Sequence, residues 1–78
     1  MFIEKNNALC ATFVFTNFVE AFAFMTKIAL IAEKADHHPT LINTYNSVEI
    51  RLSTHDAGNI ITEKDVSLSE SIIFLYHN

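Results

Sequence analysis

The sequence predicts an α+β fold in two layers, of order β-β-α-β-β-α: a four-stranded antiparallel sheet with two helices packed on one face. Three observations lead to it. Two stretches, Ala8 to Phe15 and Val48 to His55, alternate in polarity at period two, as half-buried strands do. The long apolar stretch between them, from Asn17 to about Lys34, is spaced as a helix. Capping signatures open one helix at Asn17 and another at Thr62, and polar turn residues separate the strands.

Phe2 to Lys5 reads as a short first strand, with Asn6-Asn7 turning the chain into the second. There Leu9, Ala11, Phe13 and Phe15 alternate with Cys10, Thr12 and Val14, so the pair makes a hairpin. Asn17 with Glu20 three residues later is a variant of the capping box. At 100° per residue, Phe18, Ala21, Phe22, Met25, Ile28, Ala29 and Ala32 share one broad arc, which is expected to cover the sheet. Val19, Ala23, Phe24, Leu30 and Ile31 fall outside it, and five apolar residues on the far side of one helix imply a second partner.

Pro39 ends this helix and pushes His38 towards extended backbone, which puts His37 and His38 at a helix exit. Leu41 to Tyr45 reads as the third strand and Asn46-Ser47 as a turn. In the fourth strand Val48, Ile50, Leu52 and Thr54 face the core, and Glu49, Arg51, Ser53 and His55 face the other way. Asp56 to Asn59 is a loop. Thr62, with Asp65 three residues on, caps the second helix, whose Leu68, Ile72, Leu75 and Tyr76 recur at helical spacing.

Residues 1–78 are read as a single domain. A chain this short buries only about 60% of its unfolded surface, so its stability is marginal without help, usually a disulfide, a metal or a partner subunit. Cys10 is the only cysteine, which rules out an internal disulfide and suits a reducing, cytoplasmic compartment. Half the residues are apolar and seven are Phe, so association, as a homotetramer or homodimer, is the expected support. A net charge of −4 with five Lys and Arg residues argues against a nucleic-acid surface. No apolar run approaches the roughly 20 residues of a membrane span, and the first residues lack a secretion signal.

His37, His38 and His55, with carboxylates nearby, point to proton transfer, because imidazole titrates near neutral pH and serves as acid or base. Glu33 precedes His37 by four residues and would share its helix face, where it can orient that ring. Blander roles compete. A histidine pair at a helix end also complements the helix dipole, and Asp65 also serves as the third residue of a capping motif. A metal site of His37, His38, His55 and Cys10 lacks any zinc-ligand spacing, and Cys10 reads as a small buried apolar residue. His77, in the last turn, has no assigned role.

The run Glu33-x-x-x-His37-His38-Pro39, followed by Tyr45, Thr54-His55-Asp56-Ala57-Gly58 and Asp65, resembles the signature of the pterin-4a-carbinolamine dehydratases. Phe13-Val14-Phe15 and Glu20 to Met25 extend the resemblance over nearly the whole chain. Two features depart from the family pattern: a longer segment between His55 and Asp65, and Leu41 where an aromatic residue often stands. The resemblance implies the same fold and a lyase that dehydrates a 4a-hydroxytetrahydropterin to a quinonoid dihydropterin in tetrahydrobiopterin recycling. It implies no cofactor and no metal. It makes His37, His38 and His55 catalytic, with Glu33 and Asp65 binding or orienting the pterin and Tyr45 packing beside the site. An aromatic amino-acid hydroxylase becomes a possible pathway partner. The alternative it carries is a non-enzymatic oligomerisation or transcription-cofactor binding module.

Overall fold

The computed structural model describes residues 1–78. Its elements are β1 (Ile3–Lys5), β2 (Ala8–Val14), α1 (Phe18–Ala35), β3 (Thr40–Thr44), β4 (Ser47–Leu52) and α2 (Glu63–Tyr76), with a single 3₁₀ turn at His55–Ala57. The strands form one antiparallel sheet in the order β1-β2-β4-β3. Asn6 and Asn7 both take left-handed backbone, φ 52° and 63°, the geometry that closes a two-residue hairpin and that Asn tolerates. The Asn17 side chain accepts a hydrogen bond from the Glu20 amide at 2.9 Å and starts α1. Glu20 reaches back to the Thr16 amide, one residue beyond the usual capping-box partner.

Eleven buried apolar residues form one core cluster between the sheet and the helices. Phe13 from β2 and Val48, Ile50 and Leu52 from β4 supply its floor; Ile28 from α1 and Ile72 from α2 close it from above. The expected inward set of β4 therefore faces the core. Aromatic rings seal one end, with Phe13 packed against Phe24 at 5.1 Å and against Tyr76 at 4.8 Å between centroids.

The helix α1 is rotated from its expected setting. Phe24, assigned by spacing to the far side, is 5% exposed and sits in the core, and Ile31 packs against the core. Phe18 and Phe22, assigned to the sheet, are 47% and 51% exposed and pack on each other instead. The difference is a turn of about 60° at 100° per residue. Its cause is size: Ala21 and Ala32 lie in the buried stripe, where small side chains let the helix approach the sheet, and Phe24 fills the gap beside Phe13 and Phe15. Phe18, Val19, Phe22 and Leu30 are left as an uncovered apolar face.

Two smaller corrections concern the strands. Tyr45 is not in β3. It has φ 50° in the turn with Asn46, five residues along from Thr40, and so about 16 Å from the His38 end of the strand at ~3.3 Å per residue. It cannot pack beside residues near His38. Cys10 is only partly buried, because it lies on the helix-free face of the sheet opposite Arg51.

Phe24→Ala is expected to cost about 3–5 kcal/mol, the range for emptying a buried aromatic site. A domain of this size has roughly 4–12 kcal/mol in total at 0.05–0.15 kcal/mol per residue. Urea denaturation should therefore show at least about a quarter of the stability gone.

Candidate active site

The site begins where α1 stops. Asp36 takes left-handed backbone, φ 52° and ψ 42°, its amide bonds to Glu33 O at 3.1 Å, and the His37 amide bonds back to Ala32 O at 3.1 Å. This pair of bonds is a Schellman motif, and Pro39 two residues later prevents any return to helix. The left-handed residue ends the helical face that Glu33 and His37 would have shared. Glu33 instead meets His38, with Oε1 2.8 Å from Nε2, in an exposed pair. The expected Glu33–His37 contact does not form.

His37 turns inward to Asp65. Its Nε2 lies 2.5 Å from Asp65 Oδ1, and its side chain is only 10% exposed. Asp65 is the third residue of α2 and completes a capping box, its Oδ2 accepting from the Thr62 amide at 2.8 Å. The Thr54 hydroxyl donates to the same Oδ2 at 2.8 Å. The carboxylate is fully buried, yet three elements supply it with donors: the end of α1, the segment after β4 and the start of α2. Asp65 thus bonds the Thr62 amide of the helix cap and the His37 ring at once.

Burial pushes the pKa of Asp65 up. Hydrogen bonds from His37, the Thr62 amide and Thr54, with the His37 charge, outweigh that and hold it below the ordinary 3.8. Asp65 is therefore ionised at neutral pH and acts only as an acceptor, so Nε2 is the protonated nitrogen of His37. Nδ1 has no partner in the protein, and no buried polar side-chain atom lacks one, so Nδ1 reaches solvent.

His55 is not the strand residue that alternation predicts. The fourth strand ends at Leu52, and the chain turns through His55–Ala57, where His55 is exposed. The reason lies in Thr54, which bridges to Ile60: the Thr54 amide bonds to Ile60 O at 2.8 Å and closes the base of the loop. Gly58 at φ 89° and Asn59 at φ 60° then turn the chain back towards Ile60.

His37, His38 and His55 all line one polar cleft of about 290 Å³, with Asp36, Asp56, Lys64, Ser53 and Thr54. Glu33 stands at its margin through His38; Asp65 lies beneath it through His37. Tyr45 and Cys10 are elsewhere, and no three His, Cys, Asp or Glu side chains converge as a metal site. Two threonines are the residues that sequence reasoning missed. Thr54 carried a signal, because it is a hydroxyl on the core-facing side of an alternating run and must find a partner there.

A family model described as pterin 4 alpha carbinolamine dehydratase matches residues 2–74. A protein of Rhodopseudomonas palustris (strain HaA2), provisionally named a pterin-4-alpha-carbinolamine dehydratase, is 51% identical over 70 residues, 90% of this chain and 68% of that protein. One from Prochlorococcus marinus (strain NATL2A) with the same provisional name is 50% identical over 78 aligned residues, 91% of this chain and 81% of that protein. The crystal structure titled transcriptional coactivator/pterin dehydratase from Brucella melitensis superposes with a TM-score of 0.86 at 37% identity, over 96% of this chain and 79% of that one. A pterin dehydratase-like protein identified as a RuBisCO assembly factor in the alpha-carboxysome shares the fold, with a TM-score of 0.75 at 21% identity over 96% and 86% of the two chains.

The depressed pKa of Asp65 has a defined consequence. A carboxyl that binds its proton less readily folded than unfolded stabilises the fold above the unfolded value near 3.8. That contribution is lost as pH falls through the lower folded value. Thermal melts from pH 6 to pH 2 should show wild type losing stability on this account, and Asp65→Asn lacking this share of the acid dependence. The variant should be less stable than wild type at pH 7 by about 1–3 kcal/mol, because an amide cannot accept all three hydrogen bonds.

Proposed function

The chain belongs to the pterin-4a-carbinolamine dehydratase family, and from that premise we propose that it is a cytoplasmic hydro-lyase of tetrahydrobiopterin recycling. Its substrate is a 4a-hydroxytetrahydropterin. In the reaction the C4a–O bond breaks, the neighbouring ring nitrogen loses its proton, a C=N bond forms, and water and a quinonoid dihydropterin leave. His55, as imidazolium, gives the proton that makes the hydroxyl a water. His37, through Nδ1, takes the proton from nitrogen, and His38 binds and orients the pterin. One observation carries the reading: a histidine locked on a buried carboxylate, with its other nitrogen free, in a cleft shared with two more histidines. The arrangement resembles a carboxylate-oriented general base.

The role of Asp65 is to keep Nε2 protonated and to stabilise His37 when it is charged. Glu33 acts on His38 from the exposed side, where an ion pair adds little to stability and serves instead to hold the ring. Because His37 is mostly buried against a carboxylate, His37→Ala would strand that charge and destabilise the protein. His37→Gln is the cleaner variant: the Gln amide reaches about as far as Nε2 and keeps the donor to Asp65, but it removes the base. Purified protein added to 4a-carbinolamine generated in situ should form quinonoid product faster than the spontaneous reaction. His55→Ala and His37→Gln should each lose about 10²-fold of that acceleration, the low end of the range for a positioned acid or base. His77→Ala should match wild type. A wild-type rate equal to the spontaneous one would favour the binding-module reading, which the uncovered apolar face of α1 supports.

That same face supports a homo-oligomer, a tetramer or dimer built on α1 contacts. Phe18, Val19, Phe22 and Leu30 all expose apolar surface along one side of α1, on a chain with little core to spare. Light scattering at micromolar concentration should give a multiple of the 8.8 kDa chain mass. Leu30→Glu should shift it to the monomer by burying an unpaired charge.

A further inference from the structure

Two hydroxyls link the start of α2 to Asp65, and their protons can be arranged in only one way. Asp65 is ionised and accepts only. Thr54 has a single hydroxyl proton, which points to Asp65 Oδ2 at 2.8 Å. Thr62 Oγ1 lies 2.5 Å from Thr54 Oγ1, so its proton must be the one in that bond. Thr62 Oγ1 in turn accepts from the Lys64 amide at 3.3 Å. Hydrogen bonds thus run in one direction, from the first turn of α2 through Thr62 and Thr54 to Asp65.

We propose that Thr54, supported by Thr62, is a positioning residue: its hydroxyl fixes the rotation of the Asp65 carboxylate so that Oδ1 alone faces His37 and holds the Nε2–H ring in place with Nδ1 left bare. Oδ2 is saturated by the Thr54 hydroxyl and the Thr62 amide, and Oδ1 has only the ring. A helix cap alone would not need Thr54, which lies outside α2 and is 6% exposed. Without its hydroxyl, the Thr62–Lys64 and Thr62–Asp65 capping bonds remain, but one of the two donors to Oδ2 is gone and the carboxylate is held less firmly. The Thr54 bond also helps to lower the pKa of Asp65, so its loss moves that pKa up. The inference rests on the reading of His37 as proton acceptor, since that role needs Nδ1 bare.

The test is the ring-nitrogen spectrum of His37 in ¹⁵N-labelled full-length protein at pH 8, together with dehydration kinetics. Wild type is expected in the Nε2–H form. Thr54→Val, which keeps the shape and removes the hydroxyl, should stay in the Nε2–H form but show a weakened bond to Oδ1, read as an upfield shift and faster solvent exchange of the Nε2 proton. Its kcat should fall roughly tenfold, the order set by loss of one hydrogen bond to a charged group, with KM little changed. Thr54→Ser should restore both. An Nδ1–H ring in wild type overturns the proposal, as does a Thr54→Val protein in which either the Nε2 proton signal or kcat stays at the wild-type value. Should Thr54→Val fail to fold, Thr62→Val breaks the same series one step earlier and the same two readouts decide. A wild-type protein without dehydratase activity would defeat the functional reading, whereas the ring spectra would still decide whether the hydroxyls hold the His37 ring.

Discussion

A single fully buried carboxylate, Asp65, connects the elements that make the cleft. It accepts hydrogen bonds from His37, two residues past α1, from Thr54, two residues past β4, and from the Thr62 amide at the start of α2. In water these donors would be satisfied separately and the three segments would have no reason to meet. Out of water, an ionised carboxylate with fewer partners would cost several kcal/mol, so the fold keeps all of them. The cleft thereby inherits its geometry from a stability requirement. His37 is held where Asp65 needs a donor, and its remaining nitrogen opens to solvent as a consequence.

Much of the fold was legible because it is written in local periods. Alternation in β2 and β4, the Asn pair between β1 and β2, and the caps at Asn17 and Thr62 each depend on neighbours in sequence. The setting of α1 was not legible, because hydrophobicity summed around a helix gives weight to Phe18 and Phe22. It cannot register that Ala21 and Ala32 allow a closer approach, with Phe24 filling the remaining space. The residues of the cleft stand out in sequence as histidines at spaced positions, but their pairing does not. Glu33 and His37 are correctly spaced for a helix face; one left-handed residue, Asp36, cancels that face and hands His37 to a carboxylate 28 positions away. His55 leaves its strand because Thr54 bridges to Ile60, a contact no period encodes.

The helix α1 serves two surfaces at once. Its inner stripe completes the core, and its last turn delivers His37 to Asp65. Its outer stripe presents Phe18, Val19, Phe22 and Leu30 away from the sheet. Rotating the helix to bury the large aromatics would withdraw Phe24 from Phe13 and Phe15, and would swing the helix end that carries His37. Packing inside and exposure outside are therefore coupled through one rigid element, and the apolar face follows from the way the site is built.

The central claim is that the pterin reacts in the cleft where His37, held by Asp65, faces His38 and His55. The most direct measurement is a crystal structure of the protein with a stable dihydropterin bound. The account predicts the ring system inside this cleft, with the ring edge that bears C4a and its neighbouring nitrogen within hydrogen-bonding reach of His37 Nδ1. A pterin seated instead on the open face of the sheet beside Cys10 and Arg51, or in the groove between α1 and α2 lined by Ile31 and Phe74, would contradict it.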